Sequence, residues 1–250
     1  MRLQPVLYSE LTKIISVRAL VGSLTVAAVL PVAFGSVACG DYGDGEAAQA
    51  DFDPLALGFW GVNFAQVAVA VFAMLAMGGE YDRGRIATSL VAVPRRNRFY
   101  VGKCLVTTGL SLAIAIPAAL LTFFLTQRLL GEHGVSLGDP GTVRAVLCLI
   151  LYFPLLTLLC VGLAAMVRTL AAAMGVVLPF LFLLSPLSME VPRLRTVAQF
   201  LPDRAGLYAA MSLHSDPDLV YSAWLGLPIM AVWTAGAVFG GWYALRCRDA

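Results

Sequence analysis

The sequence predicts an all-α, polytopic membrane bundle: six transmembrane helices, a helix lying at the membrane interface near the N-terminus, and a short helix between the second and third spans. The prediction covers residues 1–250 as a single domain. Three observations carry it. Apolar residues make up 60% of the chain and charged residues only 13%, where a soluble domain has ~45–50% and ~25%. Six runs without Asp, Glu, Lys or Arg are long enough to cross ~30 Å of hydrocarbon. Finally, the basic residues gather on one set of flanks. The mean hydropathy of +0.84 agrees; so much apolar surface needs lipid as its solvent.

The six runs are Ala19–Cys39, Leu57–Met77, Cys104–Thr126, Ala145–Val167, Leu170–Leu187 and Ser222–Leu245. Each must be helical, because lipid offers unpaired backbone groups no partner. One set of flanks holds twelve of the seventeen basic residues, including Lys13, Arg18, Arg95, Arg96, Arg98, Lys103, Arg168 and Arg246, with four acidic ones. The other holds five basic and eleven acidic residues. The basic side is read as cytoplasmic, with both termini inside. Ala19–Cys39 is too long for a signal-peptide core and follows eighteen residues, so the N-terminus is expected to stay uncleaved.

Ahead of the first run, Leu7, Leu11, Ile14 and Ile15 recur at helical spacing, with Ser9, Glu10, Thr12, Lys13 and Ser16 opposite. The pattern predicts an amphipathic helix in the inner interface, with those four residues facing the lipid. A plain basic anchor would serve equally on periodicity alone.

Residues 78–98 carry the densest information. Gly78 and Gly79 are expected to end the second span, and Glu80 and Asp82 to start a new helix, where the helix dipole favours acids. Ile86, Leu90 and Val93 form one apolar stripe, Pro94 ends the element, and Arg95, Arg96 and Arg98 follow at headgroup level. A short helix of this kind is a docking surface for a cytoplasmic protein. A merely topogenic loop would explain the arginines but not the acidic start or the stripe.

On the other side, Gly40–Pro54 and Gln127–Val143 read as irregular loops. In Ser188–Tyr221, Val197, Phe200 and Leu201 suggest a helix stopped by Pro202, and Leu207–Leu213 another. His133 and His214 have no ligand-like spacing, and the five cysteines match no zinc or redox pattern, so they read as small hydrophobes.

The spans exclude several classes. None contains an ionisable side chain, so the relays of ion-coupled carriers are missing. No nucleophile and base, carboxylate pair or P-loop offers catalysis or nucleotide hydrolysis, so no enzyme activity and no bound cofactor are expected in this chain. A net charge of +2 gives no reason for a nucleic-acid partner. Asn63, Gln66, Thr107 and Ser111 remain as polar residues for a pathway or for interhelical hydrogen bonds, with packing favoured. Gly236 and Gly240, four apart, permit close helix approach.

At Glu80 the sequence resembles a known family. Gly79-Glu80-Tyr81, Gly84, Ser89-Leu90, the run from Pro94 to Arg98, and Gly102-Lys103 look like the signature between spans two and three of ABC-2 type transporter permeases. Ser9-Glu10-Leu11-Thr12-Lys13 is similar to that family's N-terminal connecting helix. Gln199-Phe200-Leu201-Pro202 resembles its re-entrant external segment. The resemblance implies an exporter half in a bacterial plasma membrane, paired with a second permease half. It further implies a coupling helix through which Glu80, Tyr81, Gly84, Ile86, Leu90, Val93 and Pro94 meet a separate ATPase subunit, which would bind the ATP and Mg²⁺. Two other classes stay open on the residues alone: a membrane scaffold, which needs no chemistry, and a stand-alone carrier, which needs ionisable residues facing a cavity.

Overall fold

The computed structural model describes residues 4–41, 52–81, 96–210 and 219–247. These are almost entirely helical, with no strand among them. Six helices are long and apolar enough to cross a membrane.

Helix α1 (Gln4–Ser16) turns at Val17 into α2 (Arg18–Asp41), the first span. The short α3 (Pro54–Gly58) precedes α4 (Val62–Tyr81), the second span. The third, α5, runs 34 residues from Arg96 to Leu129. Beyond it come α6 (Thr142–Val167), α7 (Leu170–Pro179), α8 (Ser185–Glu190), α9 (Pro192–Ala198), α10 (Pro202–Ala209) and α11 (Ala223–Cys247), the last span.

Burial separates centre from periphery. Two thirds of the apolar windows of α4 and α6 are buried, against 22% for α2 and 28% for α11. The core therefore lies along α4 and α6, walled by α2, α5 and α11. Cys148 and Cys160 are buried in this core, and all five cysteines are free.

Several boundaries differ from the sequence reading, each for a local reason. The second span starts at Val62, not Leu57. Asp53 accepts hydrogen bonds from the backbone N–H of Leu55 (2.9 Å) and Ala56 (3.2 Å), capping a separate short helix. Gly78 and Gly79 do not end that span, because helical hydrogen bonding carries through to Tyr81. Gly78 instead admits Leu170, whose Cα would lie 3.2 Å from a side-chain carbon placed there. The third span begins at Arg96, eight residues before its apolar run. At 1.5 Å per residue it is about 50 Å long, longer than the ~30 Å of hydrocarbon.

The fifth span, Leu170–Glu190, is continuous but widens over Phe180–Leu184 to an i→i+5 turn. Pro186 stands two residues past its end and has no N–H to close an ordinary turn. Pro202 starts a helix rather than stopping one, since its fixed φ and missing N–H suit the first helical position. Expectations for residues 82–95 and 211–218 lie outside the described residues, and with them Gly84, Ile86, Leu90, Val93 and Pro94.

Candidate functional site

One end of the bundle gathers both terminal helices: α1, the end of α4, the start of α5 and the end of α11. At this end the structure builds a four-charge cluster. Glu10 of α1 is 3% exposed and Lys103 of α5 is 2% exposed, and the two form an ion pair. Lys103 Nζ also lies 2.8 Å from Glu80 Oε1 of α4. Lys13, one turn past Glu10, reaches Glu10 Oε1 at 2.8 Å and Glu80 Oε1 at 3.3 Å. Both ammonium groups lie over the Phe99 ring, 5.9 Å and 5.5 Å from its centroid.

Each local fold explains one corner. Helical spacing from Val6 through Glu10 to Ile14 sets one face of α1, and that face is the buried one. Of the four residues of the expected interfacial stripe, Ile14 is the one that turns into the protein. Leu7 and Leu11 are half-buried and Ile15 is 59% exposed. Glu10 shares the buried face with Val6 and Ile14 because Lys13 and Lys103 supply its charge partners there. Glu80 likewise does not open a new helix within the described residues. It stands in the last turn of α4 as an acceptor for Lys13 and Lys103.

Among the described residues, two carboxylates and two ammoniums balance the charge of the cluster. That balance is what allows it to be buried, since a charge removed from water must be matched by its partners. Burial works against the charge on Lys13, yet the Glu10 and Glu80 carboxylates together raise its pKa above the ordinary lysine value.

Around the cluster, α5 is strapped to α11. Arg96 donates to the Leu245 carbonyl (3.0 Å), the Tyr100 hydroxyl to that of Val238 (3.0 Å), and the Trp242 indole to Asn97 Oδ1 (3.1 Å). Arg168, in a left-handed conformation at φ 63°, ends α6 and donates to the Ala244 carbonyl. Tyr81 reaches the Ala165 carbonyl at 3.4 Å. In α11, a side chain at Gly240 would meet Met166 Sδ at 2.7 Å, whereas Gly236 has nothing within 4 Å.

The polar residues of the spans are dispersed. Asn63 donates to the Trp60 carbonyl (3.0 Å), and Gln66 accepts from the Tyr152 hydroxyl (2.5 Å) in the buried core. Ser111 accepts from Thr157 (2.9 Å), and the Thr107 hydroxyl turns back to the Lys103 carbonyl (2.8 Å).

The opposite end holds a second cluster. The hydroxyl of Ser185 donates to Asp203, which is fully buried, and Arg204 Nε donates to Ser185 Oγ at 2.9 Å. Burial pushes the Asp203 carboxyl up from its ordinary pKa, although Arg204 and the Ser185 hydroxyl oppose the shift. Arg144 of α6 donates to the Ala209 carbonyl (2.5 Å) and stacks over Trp224, clamping α10 between α6 and α11.

Sequence reasoning missed Glu10, Asp203 and Arg144 as structural centres. Glu10 is the recoverable one, at i and i+4 between Val6 and Ile14; the other two look like ordinary loop charges until their partners are known.

The fold and the two clusters define a multi-pass α-helical membrane protein of six spans. Compared with known proteins, the chain matches no family model and no curated protein.

Proposed function

We propose that the chain is the permease subunit of an ABC-2 type exporter, forming part of a substrate pathway and driven by a separate cytoplasmic ATPase. The observation that carries the reading is the buried charge cluster. Segment 82–95, where the sequence places the docking helix, leaves α4 just after Glu80 and rejoins the bundle seven residues before Lys103. Glu80 and Lys103 bind each other, and both bind residues of α1. A push on a protein-docked segment would therefore move α1, α4 and α5 together. A permease powered from outside its membrane part needs such a joint. The resemblance of Gly79–Lys103 and Ser9–Lys13 to the family signature supports the same reading.

In this reading the cluster end faces the cytoplasm of a bacterial plasma membrane. ATP and Mg²⁺ stay with the ATPase, and a second permease half, identical or sister, completes the pathway. Orientation is tested by labelling Ala48→Cys and Ser215→Cys in intact cells; protection of both sites reverses it.

The functional test is co-purification with a P-loop ATPase and measurement of ATP hydrolysis. Leu90→Asp should insert normally yet lose the ATPase. Glu80→Gln should keep the ATPase and lose the stimulation of hydrolysis. Normal ATPase binding and stimulation in both variants would sink the reading, and the scaffold reading would replace it.

A further inference from the structure

The apolar runs of the spans contain no ionisable side chain, yet folding brings one in from outside them. Helix α10, which carries Asp203, lies between spans rather than beyond their ends. A side-chain carbon at Gly206 would lie 2.6 Å from Tyr152 Cε2 and 2.7 Å from Met230 Sδ, so α10 meets α6 and α11 at a glycine. One at Gly226 of α11 would overlap the Ala205 carbonyl of α10. Tyr152 stands ten residues past the start of α6, and Gly226 and Met230 three and seven past the start of α11. Ser185, which bonds Asp203, stands five residues before the end of the fifth span. At 1.5 Å per residue, α10 is set about 5–15 Å inside the ends of three spans. An ionisable side chain in such a place is costly and marks a function.

Asp203 is fully buried there, one turn before Gly206 on the same face of α10. Its surroundings suit a proton better than a permanent charge. Oδ1 has no hydrogen-bond partner among the described residues, and Oδ2 accepts the Ser185 hydroxyl. Arg204 Nε lies 3.3 Å from Oδ2 but gives its hydrogen to Ser185 Oγ, 2.9 Å away. The other charged and titratable groups around α10 are engaged elsewhere. Arg144 of α6 donates to the Ala209 carbonyl and Tyr152 to Gln66, while the Tyr208 hydroxyl reaches Met189 Sδ at 3.9 Å. Glu190, at the end of the fifth span, is exposed, and α11 has no titratable side chain before Tyr243. A carboxylate removed from water with so little opposing charge takes up a proton readily.

Ser185 can serve both forms of the acid, since a hydroxyl has one hydrogen to give and two lone pairs to receive. With Asp203 ionised, the Ser185 hydrogen goes to Oδ2. With a proton from water added to Oδ2, the hydroxyl turns and accepts from it, while its second lone pair still receives Arg204 Nε–H.

We propose that Asp203 is a proton-binding site inside the bundle, and that α10 is locked between α6 and α11 while the proton is bound. Loss of the proton leaves a buried charge with an unpartnered oxygen, which loosens α10. The proposal rests on the multi-pass fold and is independent of the exporter reading.

Infrared difference spectroscopy of the full-length chain in detergent, between acidic and alkaline pH, tests it. One carboxylic-acid carbonyl band should titrate above the ordinary aspartate value of about 3.9 and be absent in Asp203→Asn. Ser185→Ala, which removes a hydrogen bond to the ionised form, should move that midpoint upward. Hydrogen exchange, corrected for the intrinsic effect of pH, should become several-fold faster in Pro202–Ala209 as the band is lost. Asp203→Asn, neutral at every pH, should keep the slow rate throughout. The Ser185→Ala titration and the exchange of the wild type need no substitution at Asp203. A band set unchanged in Asp203→Asn, a Ser185→Ala midpoint equal to the wild type, or wild-type exchange that stays constant as the band disappears overturns the proposal.

Discussion

The two ends of the bundle solve the same problem differently. At the end with the termini, Glu10, Lys13, Glu80 and Lys103 come from three helices and neutralise one another. At the opposite end, Asp203 is buried beside Arg204, its own neighbour in sequence, and one of its carboxylate oxygens has no hydrogen-bond partner among the described residues. The helix that carries Asp203 is held by side-chain bonds to Ser185 and by the bond from Arg144 to the Ala209 carbonyl. A neutral cluster spread over several helices makes a joint whose parts move together. Asp203 is matched by its neighbour Arg204 and by a single hydroxyl of the fifth span, Ser185, so no ion pair ties its helix to a span among the described residues, and the burial of Asp203 remains a cost at neutral pH.

The largest effect should come from breaking the first cluster. Lys103→Ala removes the buried ammonium that pairs with Glu10 and Glu80, and leaves the buried Glu10 beside the half-exposed Lys13. A loss of about 3–5 kcal/mol is expected, the usual result of orphaning a buried charge, read as a lowered thermal midpoint in detergent. Lys13→Ala should cost under about 1 kcal/mol, since a side chain 41% exposed is screened by solvent. Equal losses from the two lysines would mean that burial does not govern the cluster.

At the other end, Arg144→Ala removes a donor to the Ala209 carbonyl and a cation stacked on Trp224. About 1.5–3 kcal/mol is expected for a hydrogen bond from a charged group. Hydrogen exchange should locate the loss in Pro202–Ala209, leaving Gln4–Ser16 unchanged. Faster exchange in both regions would show that the two ends are mechanically coupled, which the comparison denies.

The smallest and most specific effect concerns Asp203. Its pKa is raised on folding, so the folded state holds the proton more tightly than the unfolded chain. The stabilisation is complete below the unfolded value of about 3.9 and is lost as pH rises through the folded value. The contribution of Asp203 to the thermal midpoint should therefore fall as pH rises over that window, and Asp203→Asn should remove that slope. An unchanged slope in Asp203→Asn would assign it to other groups.

Much of the fold was legible without coordinates, and the exceptions are instructive. The runs from Ala145 to Val167 and from Ala19 to Cys39 agree with α6 and α2 to within a few residues, because burial in lipid depends on local apolar length. The second span was misplaced because Asp53 caps a separate turn of helix. Lys103 was read as a flank of the third span, and it is instead a fully helical, 2% exposed member of α5. The candidate site was legible only in part. Glu80 stood out in the sequence, but as the start of a helix rather than as an acceptor for two lysines.

What the sequence determined by itself was the class: six apolar helices, their approximate limits and the charge asymmetry that predicts their orientation. Each follows from the transfer of short stretches of chain between water and lipid, and so from neighbours in sequence. Tertiary structure alone decided which face of α1 turns inward, that Gly78 marks a packing contact rather than a helix end, and that Glu80 belongs with Lys13 and Lys103. Lys13 and Glu80 are 67 residues apart, and Glu80 and Lys103 are 23 apart. The helix dipole biases where a carboxylate sits along a helix, but only the packing of α1 against α4 and α5 decides which ammonium groups neutralise Glu10 and Glu80.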